Sequence, residues 1–144
     1  MNFSDELTRL IDFYENLGAQ ALHADLARVY AADAVFKDPF NEVQGLAEIE
    51  KIFAHMFKQV HDPRFKVNTR VLQGAEAFLV WDFTFRMHRS PERTECIRGA
   101  THIRFNEEGG VVLHRDYWDA AEELYEKLPV LGALMRWLKR AAKR

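Results

Sequence analysis

From Ser4 onward, Leu7, Leu10, Ile11, Tyr14 and Leu17 recur at three- and four-residue steps, the spacing of one buried face of a helix. Ser4 is the expected N-cap, and Asp5 and Glu6 fall in the first turn, where the positive end of the helix dipole favours them. Gly18 marks the break before a second helical stretch with Leu22, Leu26, Val29 and Tyr30 on one side. Ala34, Val35 and Phe36 predict a short strand that stops at Asp38-Pro39. A third helix opens at Gly45 and carries Leu46, Ile49, Ile52, Phe53, Met56 and Phe57; His61-Asp62-Pro63 is its expected end.

Beyond Phe65 the period changes to two. Phe65, Val67, Thr69 and Val71 alternate with Lys66, Asn68 and Arg70, and after a turn at Gly74, Trp81, Phe83, Phe85 and Met87 alternate with Asp82, Thr84, Arg86 and His88. A turn at Ser90-Pro91-Glu92 leads to a strand over Thr94 to Phe105, and Asn106 to Gly110 turns the chain into a last strand over Val111 to Trp118. Ala120 to Leu128 reads as helix, with a further helix from Pro129. Helices segregated from a four-stranded antiparallel meander make the fold α+β. The expected division is a domain over 1–128 and a basic amphipathic C-terminal helix over 129–144 packed on that same domain.

With 48% hydrophobic and 29% charged residues in 144, the chain has the profile of one compact domain able to bury a core without metals or disulfides. Its single cysteine, Cys96, excludes an intrachain disulfide and a cysteine-based zinc site, and fits a reducing, cytoplasmic setting. No stretch reaches the length of a membrane span. Lysine plus arginine number 20 against 22 acids, so the excess positive charge of a nucleic-acid binder is missing. The exception is local: Arg136, Lys139, Arg140, Lys143 and Arg144 crowd the last nine residues. There Leu131, Leu134, Met135 and Leu138 form an apolar stripe, read as a cover for the domain or a subunit contact rather than a membrane anchor.

The stretch Tyr30-Ala31-Ala32-Asp33-Ala34-Val35-Phe36-Lys37-Asp38-Pro39, followed by the Gly45 helix start, resembles the nuclear transport factor 2-like superfamily, and within it the SnoaL-like polyketide cyclases and ketosteroid isomerases. The resemblance implies an NTF2-like cone: a curved antiparallel sheet wrapped around N-terminal helices, with extra C-terminal helices, a pocket at one end, and dimerisation through the outer sheet face. It further implies roles. Tyr14 matches the first-helix tyrosine that donates to the substrate oxygen of the isomerases, and Asp38 the carboxylate that shuttles a proton. Aligning on His102-Ile103-Arg104-Phe105-Asn106 puts Thr101 where the isomerases carry a protonated aspartate; ketosteroid isomerase is the worked case of such an acid, and a threonine is a weaker donor there.

The last strand supplies a second set, since period two puts His114, Asp116 and Trp118 on one face and Arg115 and Tyr117 on the other. SnoaL-like cyclases resemble this arrangement, with a late-strand aspartate and a nearby histidine and no cofactor. Asp38, Tyr14, Asp116 and His114 are therefore the candidate catalytic residues, with Asp38 or Asp116 removing a proton beside a carbonyl and Tyr14 or His114 bonding the enolate oxygen. Trp81, Phe83, Phe85, Phe53, Phe57, Thr101 and Trp118 are the candidate walls for a hydrophobic small molecule. The competing structural reading makes Asp38 a turn initiator and Asp116–His114 a mutually satisfied pair. Six histidines include no metal-ligand spacing, and neither metal nor organic cofactor is expected. Two functions stay open: a small cofactor-independent enzyme of isomerase or cyclase type, or a non-catalytic protein holding an apolar ligand. The outer face, with Asp82, Thr84, Arg86, His88, Arg98, His102 and Arg104, reads as a polar homodimer surface, too polar for a large apolar docking patch.

Overall fold

Helix α1 (Ser4–Glu15) buries Leu7, Leu10, Ile11, Phe13 and Tyr14 on one face, as the spacing requires. Its start differs from the expectation in one respect. Ser4 is already helical, so its own hydroxyl sits too late to cap; the side chain of Asn2 accepts the Ser4 N–H instead, at 2.9 Å. A computed structural model of the chain describes residues 2–120 together with Glu122, Glu123, Trp137 and Arg140. The expected boundary at 128, the helix from Pro129 and the stripe Leu131, Leu134, Met135 and Leu138 lie outside the described residues.

Helix α2 (Leu22–Val29) is followed directly by β1 (Tyr30–Lys37), so Tyr30 opens a strand rather than closing a helix. A three-residue β2 (Glu42–Gln44), not anticipated, pairs back on β1 across the Asp38–Asn41 turn. Gly45, at φ 97°, then turns the chain into α3 (Leu46–Gln59): its N–H reaches the Ala34 carbonyl at 2.8 Å while its own carbonyl accepts from Ile49. The rest is sheet: β3 (Val60–Gln73), β4 (Glu76–Met87), β5 (Ser90–Phe105) and β6 (Val111–Tyr117). The six strands run in the order β2-β1-β6-β5-β4-β3, antiparallel throughout except for β1 against β6. The α+β class therefore stands, with one parallel pair joining β1 and β2 to the meander in an open sheet.

Two expected turns fall elsewhere. Helix α3 ends at Gln59, before His61-Asp62-Pro63, which sits inside β3 at a register shift between His61 and Arg64, with Asp62 at φ 56°. The β4–β5 turn is His88-Arg89, closing Met87 on Ser90; Pro91 lies in the irregular stretch between Ser90 and Thr94, where its missing N–H interrupts no ladder.

A bulge in β3 carries more consequence. Val67 pairs Trp81 but Thr69 pairs Val80, so one extra residue at Asn68 switches the faces. Phe65 and Val67 point inward as expected, whereas Thr69 and Val71 turn outward and Arg70 turns in, donating to Thr8 Oγ1 at 2.9 Å. The Val67 N–H at the bulge is taken by Glu15 Oε2 of α1, at 2.9 Å. Val71 (56% exposed) joins Phe78 (48%), Val80 (44%) and Tyr117 (47%), which makes the outer face more apolar than expected. Arg98, one of the residues assigned to that face, is engaged by Glu122 (3.0 Å) and Glu123 (2.8 Å) from beyond β6.

Candidate active site

The concave side of the sheet and α3 enclose a cavity of about 390 Å³. Phe36, Phe53, Phe65, Trp81, Phe83 and Phe85 supply its apolar walls, and Tyr14, Asp38, Thr101, His114, Asp116 and Trp118 also line it. Of the candidate site residues, only Phe57 is absent from the lining. Phe57 packs on the core instead.

The polar groups form one connected chain. The Trp81 indole N–H donates to Thr101 Oγ1 (2.7 Å), and Thr101 gives its single hydroxyl proton to Asp116 Oδ1 (2.6 Å). The same Asp116 oxygen accepts from His114 Nε2 at 2.7 Å. On the far side of the ring, His114 Nδ1 lies 2.7 Å from the hydroxyls of both Tyr14 and Tyr30, which are 2.6 Å from each other. A carboxylate oxygen only accepts, so Nε2 carries a proton, and in a neutral imidazole Nδ1 is then an acceptor. Asp116 Oδ2 has no partner among the described residues. It is open as well, because among them the one sealed side-chain atom without a partner is Glu6 Oε2.

This arrangement changes the part expected of Thr101. Its proton is committed to Asp116, so it orients a carboxylate and offers nothing to a ligand oxygen. The β4–β5 register makes that geometry possible: Trp81 pairs with Gly99, and a Cβ there would lie 2.5 Å from the indole ring. Glycine lets the ring lie flat on β5 with its N–H over Thr101.

Asp38 is a turn residue that also lies on the cavity wall. Its Oδ1 accepts from the backbone N–H groups of Phe40 (2.8 Å) and Asn41 (2.7 Å), the bonding of an Asx turn, while the side chain also lines the cavity. Burial pushes the Asp38 carboxyl above the usual range, and the Asp116 charge adds to this against the opposing backbone bonds. Burial likewise raises Tyr14 and Tyr30, which keeps both hydroxyls protonated and able to donate.

Other contributors lie outside the sequence-predicted site. Phe36 and Phe65 read only as strand positions, and Tyr30 as helix packing. His55 and Trp137 meet at the cavity rim, where the indole N–H donates to His55 Nε2 at 2.9 Å, and no local pattern links positions so far apart. Among the described residues no cluster of three or more histidine, cysteine, aspartate or glutamate side chains is disposed to hold a metal.

The SnoaL-like domain matches residues 10–114 of the chain. The chain belongs to the SnoaL-like domain family. Solved structures agree in fold. An NTF2-like protein of unknown function from Burkholderia pseudomallei K96243 superposes with a TM-score of 0.73 at 16% identity, covering 85% of this chain and 96% of that one. An LEH-like epoxide hydrolase from M. tuberculosis gives 0.67 at 16% identity, over 93% and 95% of the two chains. A protein from Shewanella denitrificans OS-217 proposed to be a SnoaL-like polyketide cyclase gives 0.66 at 16% identity, over 86% and 99%. No curated protein matches the sequence. Likeness at these identities establishes the SnoaL-like architecture and leaves the chemistry to the site. Asp116 and Trp118 lie just beyond the matched segment, and Trp137 well beyond it. No helix among the described residues is long and apolar enough to cross a membrane.

Proposed function

We propose that this SnoaL-like protein is a cofactor-independent enzyme of isomerase or cyclase type that moves a proton on a hydrophobic carbonyl compound. The observation that carries the reading is Asp116, a residue of the aromatic cavity wall: one oxygen is tied by Thr101 and His114, and the other has no partner among the described residues. A carboxylate held in that way is pre-oriented as a base. Oδ2 takes the proton from the carbon beside the carbonyl, the C–H electron pair moves into the enolate, and the Tyr14 hydroxyl donates to the oxygen where charge develops. Asp116 then returns the proton to the product. The cycle closes on itself and calls for no cofactor.

Asp38 is the weaker candidate for the base, since Oδ1 accepts from the Phe40 and Asn41 N–H groups and Oδ2 from the Asn41 side-chain amide at 3.2 Å. Its role in this reading is to hold the Phe40–Asn41 wall. The outer face, with Phe78, Val80, Val71 and Tyr117 among polar neighbours, is proposed as a homodimer surface.

Hydrogen–deuterium exchange at the methyl group of 2-acetylnaphthalene, followed by proton NMR in D₂O, tests the proposal without knowledge of the natural substrate. The protein should accelerate exchange over buffer, and Asp116→Asn should lose about 10²–10⁴-fold of that acceleration. Bound ketone with no exchange above buffer would instead mark a non-catalytic ligand carrier.

A further inference from the structure

We infer that Tyr30 is a positioning residue: it occupies the His114 acceptor so that the Tyr14 proton is left for a ligand oxygen. This rests on the reading of the site just given and names the residue that makes its oxygen-binding half work.

The argument is a count of protons. Tyr14 OH, Tyr30 OH and His114 Nδ1 make three short contacts, of 2.6, 2.7 and 2.7 Å. With the imidazole taken as neutral, its one proton is on Nε2 and directed at Asp116, so Nδ1 has none to contribute. Two phenolic protons thus serve three contacts, and Nδ1, with one lone pair, takes a single donor. His114 is only 4% exposed, so an empty Nδ1 would be a buried acceptor without a partner, which is costly. One tyrosine has to serve it at all times.

Position decides which. Tyr14 lines the cavity and Tyr30 does not. Tyr30 stands behind, its ring stacked on the imidazole at 5.9 Å and 27°, whereas Tyr14 meets the imidazole edge-on at 86°. With Tyr30 donating to Nδ1, the Tyr14 hydroxyl donates to the Tyr30 oxygen in the empty site and rotates toward a ligand oxygen when one arrives. No heavy atom has to move. Without Tyr30, Tyr14 is the sole donor for Nδ1, and a ligand carbonyl competes with His114 for the same proton.

The consequence is selective. Tyr30 governs recognition of the ligand's oxygen and leaves its apolar frame alone. The test compares binding of 2-acetylnaphthalene with that of 2-isopropenylnaphthalene, its oxygen-free counterpart, in wild type, Tyr30→Phe and Tyr14→Phe. Wild type should prefer the ketone by about tenfold, the worth of one well-placed hydrogen bond. Tyr14→Phe should erase the preference, and Tyr30→Phe should reduce it several-fold with hydrocarbon binding unchanged. A second readout is the His114 Nδ1 nitrogen-15 resonance. On ketone binding it should stay at its hydrogen-bonded position in wild type and shift toward the unbonded one in Tyr30→Phe.

Full ketone preference in Tyr30→Phe, loss of hydrocarbon binding along with it, or a wild type without preference would each overturn the inference. Failure of the catalytic reading is seen separately, in exchange that survives Asp116→Asn while the Tyr30 effect on binding stands.

Discussion

Asp38 is the single residue whose environment and function pull apart most clearly. Burial raises its pKa in the folded protein, so between the unfolded value of about 4 and the raised folded value the native state holds more protons than the unfolded one. Stability conferred at low pH is therefore lost as pH rises through that window. Asp38→Asn keeps an oxygen for the Phe40 and Asn41 N–H groups and has no proton to lose. Urea denaturation over a pH series should show the wild-type midpoint falling across the window and the variant's slope flattened. First-helix spacing and strand alternation assign faces to Tyr14, His114 and Asp116, whereas Asp38, in the turn after β1, is singled out by its resemblance to the isomerase carboxylate before proline. Their pairing was not legible in the sequence. That Thr101 serves Asp116, and that Tyr30 shares His114 with Tyr14, depends on bonds spanning 15 to 100 positions of chain.

Among the elements, the β4–β5 pair shows how little of a strand's meaning lies within the strand itself. The alternation of Trp81, Phe83 and Phe85 predicts an inward face, and they do line the cavity. What Trp81 does there is decided by its partner across the ladder. Gly99→Ala would put a Cβ 2.5 Å from Trp81 Cη2, so the ring must shift. The expected cost is about 1–3 kcal/mol, measured by chemical denaturation. Combined with Trp81→Phe, whose smaller ring relieves the contact, the loss should be less than additive. In β3 the same alternation misleads after Asn68, because a bulge has no dependable signature in one strand and reverses every side chain beyond it.

For the whole molecule, that reversal sets the character of the outer surface. Val71 and Phe78 pair in one row across the sheet, and Val80, Ala100 and Tyr117 in the next. Arg98 is drawn into ion pairs with Glu122 and Glu123, so a two-fold contact on this face would centre on Phe78 and Val80 with Glu76, His102 and Arg104 at its edge. Phe78→Lys together with Val80→Glu should shift sedimentation from dimer to monomer and leave the ketone exchange of each subunit in place. An unchanged sedimenting species would remove the proposed interface.

Local periodicity determined the α+β class and the inward face of β4 and β6, with His114 and Asp116 on it, because which face a side chain occupies follows from the repeat of its own helix or strand. Asp38 and the part of Tyr14 came from the resemblance to the isomerases. The tertiary structure alone decided the parallel β1–β6 pairing, the outward turn of Val71, the exclusion of Phe57 and the bonding of Tyr30 and Thr101. Those follow from register and from which distant segments share a wall, and a proton's direction in such a network is settled only when every donor and acceptor around it is in place.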